Sequence, residues 1–484
     1  VTSKEKLRSF MSSHHLMIVG DERLDTENAI EVHSPFDGRL LGTVPEASST
    51  HIDQAVEVAK STLKSGLIPT HERAAILDRL AESLTNRAEE FAQLLSSEAA
   101  KPIVLARAEV SRAVDTARFS AAVARTMNSE LITMDASSAG VGKTGWVKRV
   151  PIGVVGAISP FNFPLNLVCH KVAPAIAAGC PIVLKPASST PLTAILLGEV
   201  LLGECGLPPG WLNVVTCGGS TASHLVEHED VAMITFTGSP EVGWGIRADA
   251  PRKHVSLELG NNSPVIIEPD VDVAAVVAKL RGAIFGYSGQ TCISTQRIYV
   301  HADIAEEFTS ELVEVAKSVV VGDPVDEATE VTALIDGDST ERVSAWIAEA
   351  VQEGAEVACG GEVGANGILS PTVLTGIAAD MKVSCMEVFG PVVGVATYTD
   401  FEEALEHSNN TVYGLQAGVF TNDLSKALRA ADVLDFGGVT INEVPSWRAD
   451  HMPYGGIRDS GNTREGPAYA VKEMTEERLI IMQP

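Results

Sequence analysis

Between about residues 150 and 260 the chain alternates short apolar runs with helical stretches. GVVGAISP reads as a strand ending in proline, KVAPAIAAG as a helix closed by Gly179, and PIVLKP as a second strand. TPLTAILLGEVLLGECG is a second helix, LNVVTCG a third strand, ASHLVEH a third helical piece, AMITFTG a fourth strand and HVSLELG a fifth. This spacing predicts a parallel, doubly wound α/β sheet. Ligands of such sheets bind outside the carboxyl ends of the strands. The tips there are Ser159-Pro160, Lys185-Pro186, Gly218-Gly219, Thr237-Gly238-Ser239 and Glu258-Leu259-Gly260.

The flanking regions differ. Residues 1–50 read as short strands and turns, with Pro35-Phe36-Asp37-Gly38 a turn. From about Thr50 to Met127 apolar residues recur at helical spacing, notably over 51–64 and 72–97, with Ser49 or Thr50 as a cap. Residues 131–150 read as two strands around a Gly/Ser turn, a hairpin that leaves the domain body. From about Pro264 a second α/β unit begins, with helices expected over 273–288 and 304–318, and EMTEERLIIMQP as a last strand. At 484 residues, two or three domains are expected.

An excess of 63 acidic over 36 basic residues gives −27, which argues against nucleic acid or an anionic membrane as partner. Seven cysteines form no disulfide scaffold, and a reducing cytoplasm is expected. Cys169 and His170 are adjacent but lack a second cluster, so no metal is expected. The N-terminal residues show no leader-like apolar region, and no run of about 18 apolar residues predicts a transmembrane helix.

Cys292 lies in Gly289-Gln290-Thr291-Cys292-Ile293-Ser294, where polar neighbours suit a reactive thiol. Burial as a small hydrophobe is the commoner fate of a free cysteine. A thiol nucleophile needs a base, and Glu258 at a strand tip is the best candidate, against the alternative of a solvated strand-end carboxylate. Asn162, in Pro160-Phe161-Asn162-Phe163-Pro164, is either an oxyanion donor or a turn former. Lys185 is either a ribose or phosphate contact or an exposed lysine beside a helix cap. Phe236 to Gly243 has the context of a phosphate turn at a helix start. The G-x-G-x-x-A match from Gly243 to Ala248 follows no strand and is read as chance. Spacing alone supports a nucleotide-binding α/β protein with a candidate cysteine nucleophile.

Seven segments, PFNFP, LKPASSTP, FTGSPEVG, LELGNNSP, GQTCIS, EVFGP and PYGGIRDSG, occur together in one order. In them the chain resembles the aldehyde dehydrogenase superfamily over nearly its whole length. The resemblance implies a Rossmann-type cofactor domain (1–127 and 149–259), a second α/β catalytic domain (260–467) and a β-hairpin oligomerisation element (128–148 and 468–484). It implies Cys292 as nucleophile, Glu258 as general base and Asn162 as oxyanion donor. The implied cofactor contacts are Ile158, Ser159, Pro160, Phe161, Lys185, Ser188, Gly219, Gly238, Ser239, Gly260, Glu387 and Phe389. Members preferring NAD often carry glutamate where this chain has Ser188. A carboxylate repels a 2′-phosphate, whereas serine can donate to it, so NADP is expected, with NAD bound at lower affinity.

The implied substrate pocket comprises Phe163, His170, Thr291, Ile293, Trp447, Arg448 and Tyr454. Thr291 and His170 stand where members acting on phosphorylated aldehydes or on succinate semialdehyde often have arginine, which argues against a strongly anionic substrate. His170 and Arg448 leave room for a small carboxylate. Phe163, Trp447 and Tyr454 are expected either as an apolar wall or as ordinary packing. GLQAGVF, ISTQRI and DHMPYGG look most like the lactaldehyde and phosphonoacetaldehyde branches. A homodimer or homotetramer is implied. The alternatives are a coenzyme A-acylating dehydrogenase, whose members commonly lack the glutamate base, and a non-catalytic protein on the same fold.

Overall fold

A computed structural model describes residues 10–364 and 367–483. Residues 1–9 of the expected cofactor domain, on which the leader reading partly falls, and Pro484 of the expected last element lie outside the described residues.

The alternating segment forms a seven-stranded sheet. Its order in space is His254–Glu258, Val231–Thr237, Val154–Ile158, Ile182–Lys185, Leu212–Val214, Met17–Val19 and Glu22–Leu24. The first five strands are parallel, as expected. The last two are antiparallel additions from the N-terminal region, whose short strands the sequence alone does not place. Register aligns the strand ends: Lys185 sits opposite Ile158, Ile158 opposite Phe236, and Thr237 opposite Glu258. The polar tips therefore form one rim.

Helices cover both faces. The helix Asn166–Ala178 has every residue buried and closes at Gly179, which is left-handed at φ 83°. Its apolar surroundings include Leu77, Leu80, Leu94 and Val110 from the helices that precede the sheet. Each such side chain contributes about 1.5–3 kcal/mol by leaving water. The helical stretch expected over 72–97 is two helices, Thr70–Asn86 and Ala88–Ala99, divided at Arg87, whose guanidinium pairs with Glu90 and Glu204. The preceding helix, Ser49–Lys64, is capped by Ser48 rather than by Ser49 or Thr50.

A second seven-stranded sheet carries Glu356–Cys359, Thr372–Thr375, Val392–Tyr398, Thr295–His301, Ser263–Ile267, Gln416–Phe420 and Gly438–Ile441. It is parallel except for its first pair. The helices expected over 273–288 and 304–318 are Val273–Phe285 and Ala305–Lys317.

The expected hairpin joins the C-terminal strand in a three-stranded antiparallel sheet of Glu130–Ile132, Thr144–Pro151 and Thr475–Met482. The second strand runs three residues past the expected boundary at 148 because its ladder with the last strand continues to Pro151 opposite Thr475. Leu131, Leu479, Ile481 and Met482 are exposed on this sheet. Among the described residues, no helix is long and apolar enough to cross a membrane.

Candidate active site

A cleft of about 480 Å³ opens along the rim of the first sheet. Every residue expected at the cofactor, from Ile158 to Phe389, lines it, together with Asn162, Glu258 and Cys292. Two helices start there. Pro240–Asp249 is preceded by Ser239 and Gly219–Glu227 by Gly218, and neither cap residue spends a side chain on the helix. Their first N–H groups and positive dipole ends suit an anion. The G-x-G-x-x-A match lies inside the first of these helices, so it is not a phosphate loop.

Besides Glu258, Lys185 and Glu387 bring ionisable groups to the cleft. Lys185 is buried, and desolvation pulls its ammonium below the usual range. Glu387 accepts the Asn261 N–H at 3.0 Å, and burial pushes its carboxyl up to about 7. A β-carbon at Gly260 would lie 2.3 Å from Glu387 Oε2, so only glycine lets that carboxylate approach. Phe389 stands edge-on to Phe161, with ring centres 5.9 Å apart. Ser188 departs from expectation, because its hydroxyl donates to the Cys217 carbonyl at 3.0 Å and its hydrogen is already used.

Cys292 follows a tight turn after Val273–Phe285. Tyr287 and Ser288 are left-handed at φ 52° and 55°. Gly289 is left-handed too, and a β-carbon there would fall 2.0 Å from the Gly390 carbonyl oxygen. Such backbone costs about 1–3 kcal/mol per non-glycine residue and persists where surrounding packing enforces it. The turn delivers Cys292 to the end of the cleft, where it also lines a second pocket of about 220 Å³. Its Sγ lies 2.8 Å from Tyr454 Oη. Burial pushes the thiol up to about 12, opposed by the Tyr454 hydrogen bond and by Arg448. Asn162 donates from Nδ2 to the Gln290 carbonyl at 3.0 Å and retains a second N–H.

Glu258 is buried, and among the described residues neither carboxylate oxygen has a hydrogen-bond partner. Burial first, then Glu465, raises its carboxyl well above the usual range, while Arg448 and Lys171 pull it down. That is the environment a general base near neutrality requires.

The second pocket is walled by Phe163, Thr291, Ile293, Arg448 and Tyr454 of the expected set. Two expected members are not in its lining. Trp447 is half exposed, at 52%. His170 is fully buried behind the wall, its Nε2 within 3.0 Å of both Asp450 and Arg448. Burial pulls that imidazole below its ordinary value. Lys101, Glu109, Arg112 and Tyr287 line the pocket without having been expected there. Arg112 pairs with Asp450 through Nε at 3.1 Å and Nη2 at 2.9 Å.

The model of the aldehyde dehydrogenase family matches residues 23–480. The chain belongs to the aldehyde dehydrogenase family. It is an enzyme that oxidises aldehydes. It is 43% identical to a 3-sulfolactaldehyde dehydrogenase of Priestia megaterium over 467 residues, 96% of this chain and 97% of that one. An aldehyde dehydrogenase of Physcomitrella patens in complex with its reaction product succinate superposes at TM-score 0.94, with 38% identity and 98% of each chain covered. An NADP-dependent glyceraldehyde-3-phosphate dehydrogenase of Bacillus halodurans complexed with NADP gives 0.94 at 34% identity, covering 97% of this chain and 99% of that one.

In this aldehyde dehydrogenase the cleft fits a dinucleotide. Two open helix starts, the Lys185 ammonium, the Glu387 carboxylate and the Ser159 hydroxyl, which has no partner among the described residues, share one groove. Nothing in the sequence distinguished Lys101, Glu109 or Arg112. The last two lie on the helix Ile103–Thr126, where charged residues three apart usually mark a solvated face.

Proposed function

We propose that this enzyme oxidises a small anionic aldehyde to a carboxylic acid, preferring NADP over NAD, through a thioester on Cys292. The observation that carries the reading is that Cys292 lines both the cleft along the sheet rim and the small pocket, with Asn162 and Glu258 beside it in the cleft.

Lys185 and Ser188 would hold the adenosine ribose, the two helix starts the pyrophosphate, and Glu387 the second ribose. When bound, the nicotinamide supplies a hydride acceptor. The Cys292 thiolate attacks the aldehyde carbon, forming a C–S bond and placing the carbonyl electron pair on oxygen. The second N–H of Asn162 and the Cys292 backbone N–H donate to that oxyanion, which is where preorganised donors count most. In the hydrolytic half, Glu258 takes a proton from water, the hydroxide adds to the thioester carbon, and the C–S electron pair returns to sulfur. A buried Glu258 disfavours the coenzyme A-acylating alternative, whose members commonly lack that glutamate.

NADP preference is supported by the absence of a carboxylate at position 188 and by the charge of Lys185. It gains nothing from a Ser188 donor hydrogen. An anionic end group is supported by Arg112, whose Nη1 remains outside its Asp450 pair, by Arg448, and by identity to the sulfolactaldehyde enzyme. A pocket of about 220 Å³ lies below the ~300–1,000 Å³ of drug-sized sites, which suits a short substrate.

The test is reduced-nicotinamide formation over a panel of short aldehydes with sulfonate, carboxylate or neutral ends, with NADP and with NAD, without coenzyme A. Turnover that disappears in Cys292→Ala supports the chemistry. Faster turnover of neutral aldehydes overturns the substrate class, and an NAD preference overturns the cofactor reading.

A further inference from the structure

The oxyanion has donors assigned to it, but the sulfur needs one as well. A thiolate must exist before attack and must reappear when the thioester breaks. At both moments negative charge sits on Sγ, in a position where burial penalises it. Asn162 and the backbone N–H serve the oxygen. The polar atom against Sγ is the Tyr454 hydroxyl, 2.8 Å away.

We propose that Tyr454 is a catalytic residue of this enzyme, donating its phenolic hydrogen to the Cys292 sulfur to stabilise the thiolate on attack and on release. The proposal rests on Cys292 being the nucleophile. The phenol keeps its own proton throughout, while the thiol's proton passes to the general base, Glu258. In the resting pair either atom can donate, but once the thiol has lost its proton only the phenol carries one. On thioester hydrolysis the C–S pair moves onto Sγ and meets the same O–H.

Three features hold the phenol in that role. Tyr454 is 3% exposed, and its ring packs with Ile293 and Leu415. Its backbone is tied to Glu465 in both directions and to the Met452 carbonyl. The Arg448 guanidinium lies over the ring, 3.9 Å from its centre, and draws electron density from it, which strengthens the O–H as a donor. Burial keeps the phenol protonated through the working range. The other charged groups around the sulfur do not substitute for it. Arg448 attracts the thiolate but is engaged by Glu465, whereas Glu258 and Glu387 repel it. Lys101, Glu109 and Arg112 face the same pocket, with Lys101 committed to Glu109 and Arg112 to Asp450.

The experiment is Tyr454→Phe in the full-length enzyme, which removes one oxygen and keeps the ring. The readout is the pH profile of Cys292 alkylation by iodoacetamide, followed by mass spectrometry of the Cys292 peptide because six other cysteines are present. The profile is expected to move up by about one pH unit, making alkylation about tenfold slower near neutrality, since a hydrogen bond to a charged group is worth about that factor or more. kcat falls in parallel, and NADP affinity by fluorescence titration stays unchanged, which reports an intact fold. An unmoved alkylation profile with intact cofactor binding overturns the proposal. Should the phenylalanine variant fail to fold, fluorotyrosines incorporated at position 454 serve instead. As the phenol becomes more acidic, the profile must shift stepwise to lower pH, and a constant profile refutes the donor role. Cys292→Ala that still turned over would sink the nucleophile assignment, a separate failure from either of these.

Discussion

Replacing Lys101 by methionine tests whether the buried ion pair beside the active site holds Asn162 in place. Lys101 and Glu109 are both buried and in contact. The ammonium also donates to the Asn162 carbonyl at 2.6 Å and stands 3.7 Å above the Phe163 ring. Glu109 additionally accepts the Leu165 and Asn166 N–H groups at 2.9 and 3.0 Å, which open the helix Asn166–Ala178. Lys101→Met leaves the Glu109 charge buried with two backbone donors and no cation, a loss of about 3–5 kcal/mol. At ~3 kcal/mol/M, the upper end of the small-protein range, the urea midpoint falls by about 1–1.7 M. Adding Glu109→Gln removes the stranded charge and should recover more than half of the loss, leaving about 1–2 kcal/mol for an imperfectly paired amide. Activity does not recover in the double variant, because the Asn162 carbonyl has lost its anchor. A displacement of about 1 Å there costs roughly a hundredfold in kcat. Urea unfolding followed by tryptophan fluorescence, with kcat measured on the same samples, gives both numbers. A single variant with an unchanged midpoint, or a double variant no better than the single, refutes the account.

Glu387, at about 7, should make NADP binding tighten as pH rises from 6 to 8, because only the ionised form accepts strongly from ribose hydroxyls; Glu387→Gln flattens the dependence in fluorescence titrations. Arg112→Met should raise KM by about 10–100-fold for aldehydes with an anionic end and under about threefold for a neutral one of the same length, as expected for loss of a charge-assisted contact. Ser188→Glu should weaken NADP by about tenfold or more and leave NAD nearly unaffected, measured by the same titration, since a carboxylate beside a 2′-phosphate is a like-charge contact. Gly260→Ala should weaken both cofactors equally, because a methyl placed 2.3 Å from Glu387 Oε2 displaces that carboxylate whatever the adenosine carries.

The parallel sheet and its rim were legible because each strand ends in its own polar or glycine tip, so period and punctuation agreed. Helix divisions were less so. Nothing local stops the run at Arg87, whose bridge to Glu204 lies across the fold. The cysteine, glutamate and asparagine proposed for catalysis stand out through their surrounding motifs and line one cleft, whereas the pocket wall was not legible. His170 sits on a helix buried all round, so its sequence position could not say which side faced substrate. Trp447 looked like wall material by chemistry, but its half-exposed ring lies outside the pocket lining. Arg112 escaped because its partner, Asp450, is hundreds of residues away, and long-range pairs leave no periodicity.

The three-stranded sheet joins segments that are far apart in time as well as in sequence. Thr144–Pro151 is made early, yet its partner, Thr475–Met482, emerges more than 300 residues later. At roughly 5–20 residues per second, that strand waits on the order of 15–60 s on the ribosome with one edge unpaired. An open edge beside apolar side chains is a template for another chain's strand. The charges along the waiting strand, Lys148 and Arg149, then act as guards, and Arg149 goes on to become a partner: it ends in an ion pair with Glu477 on the strand it was waiting for.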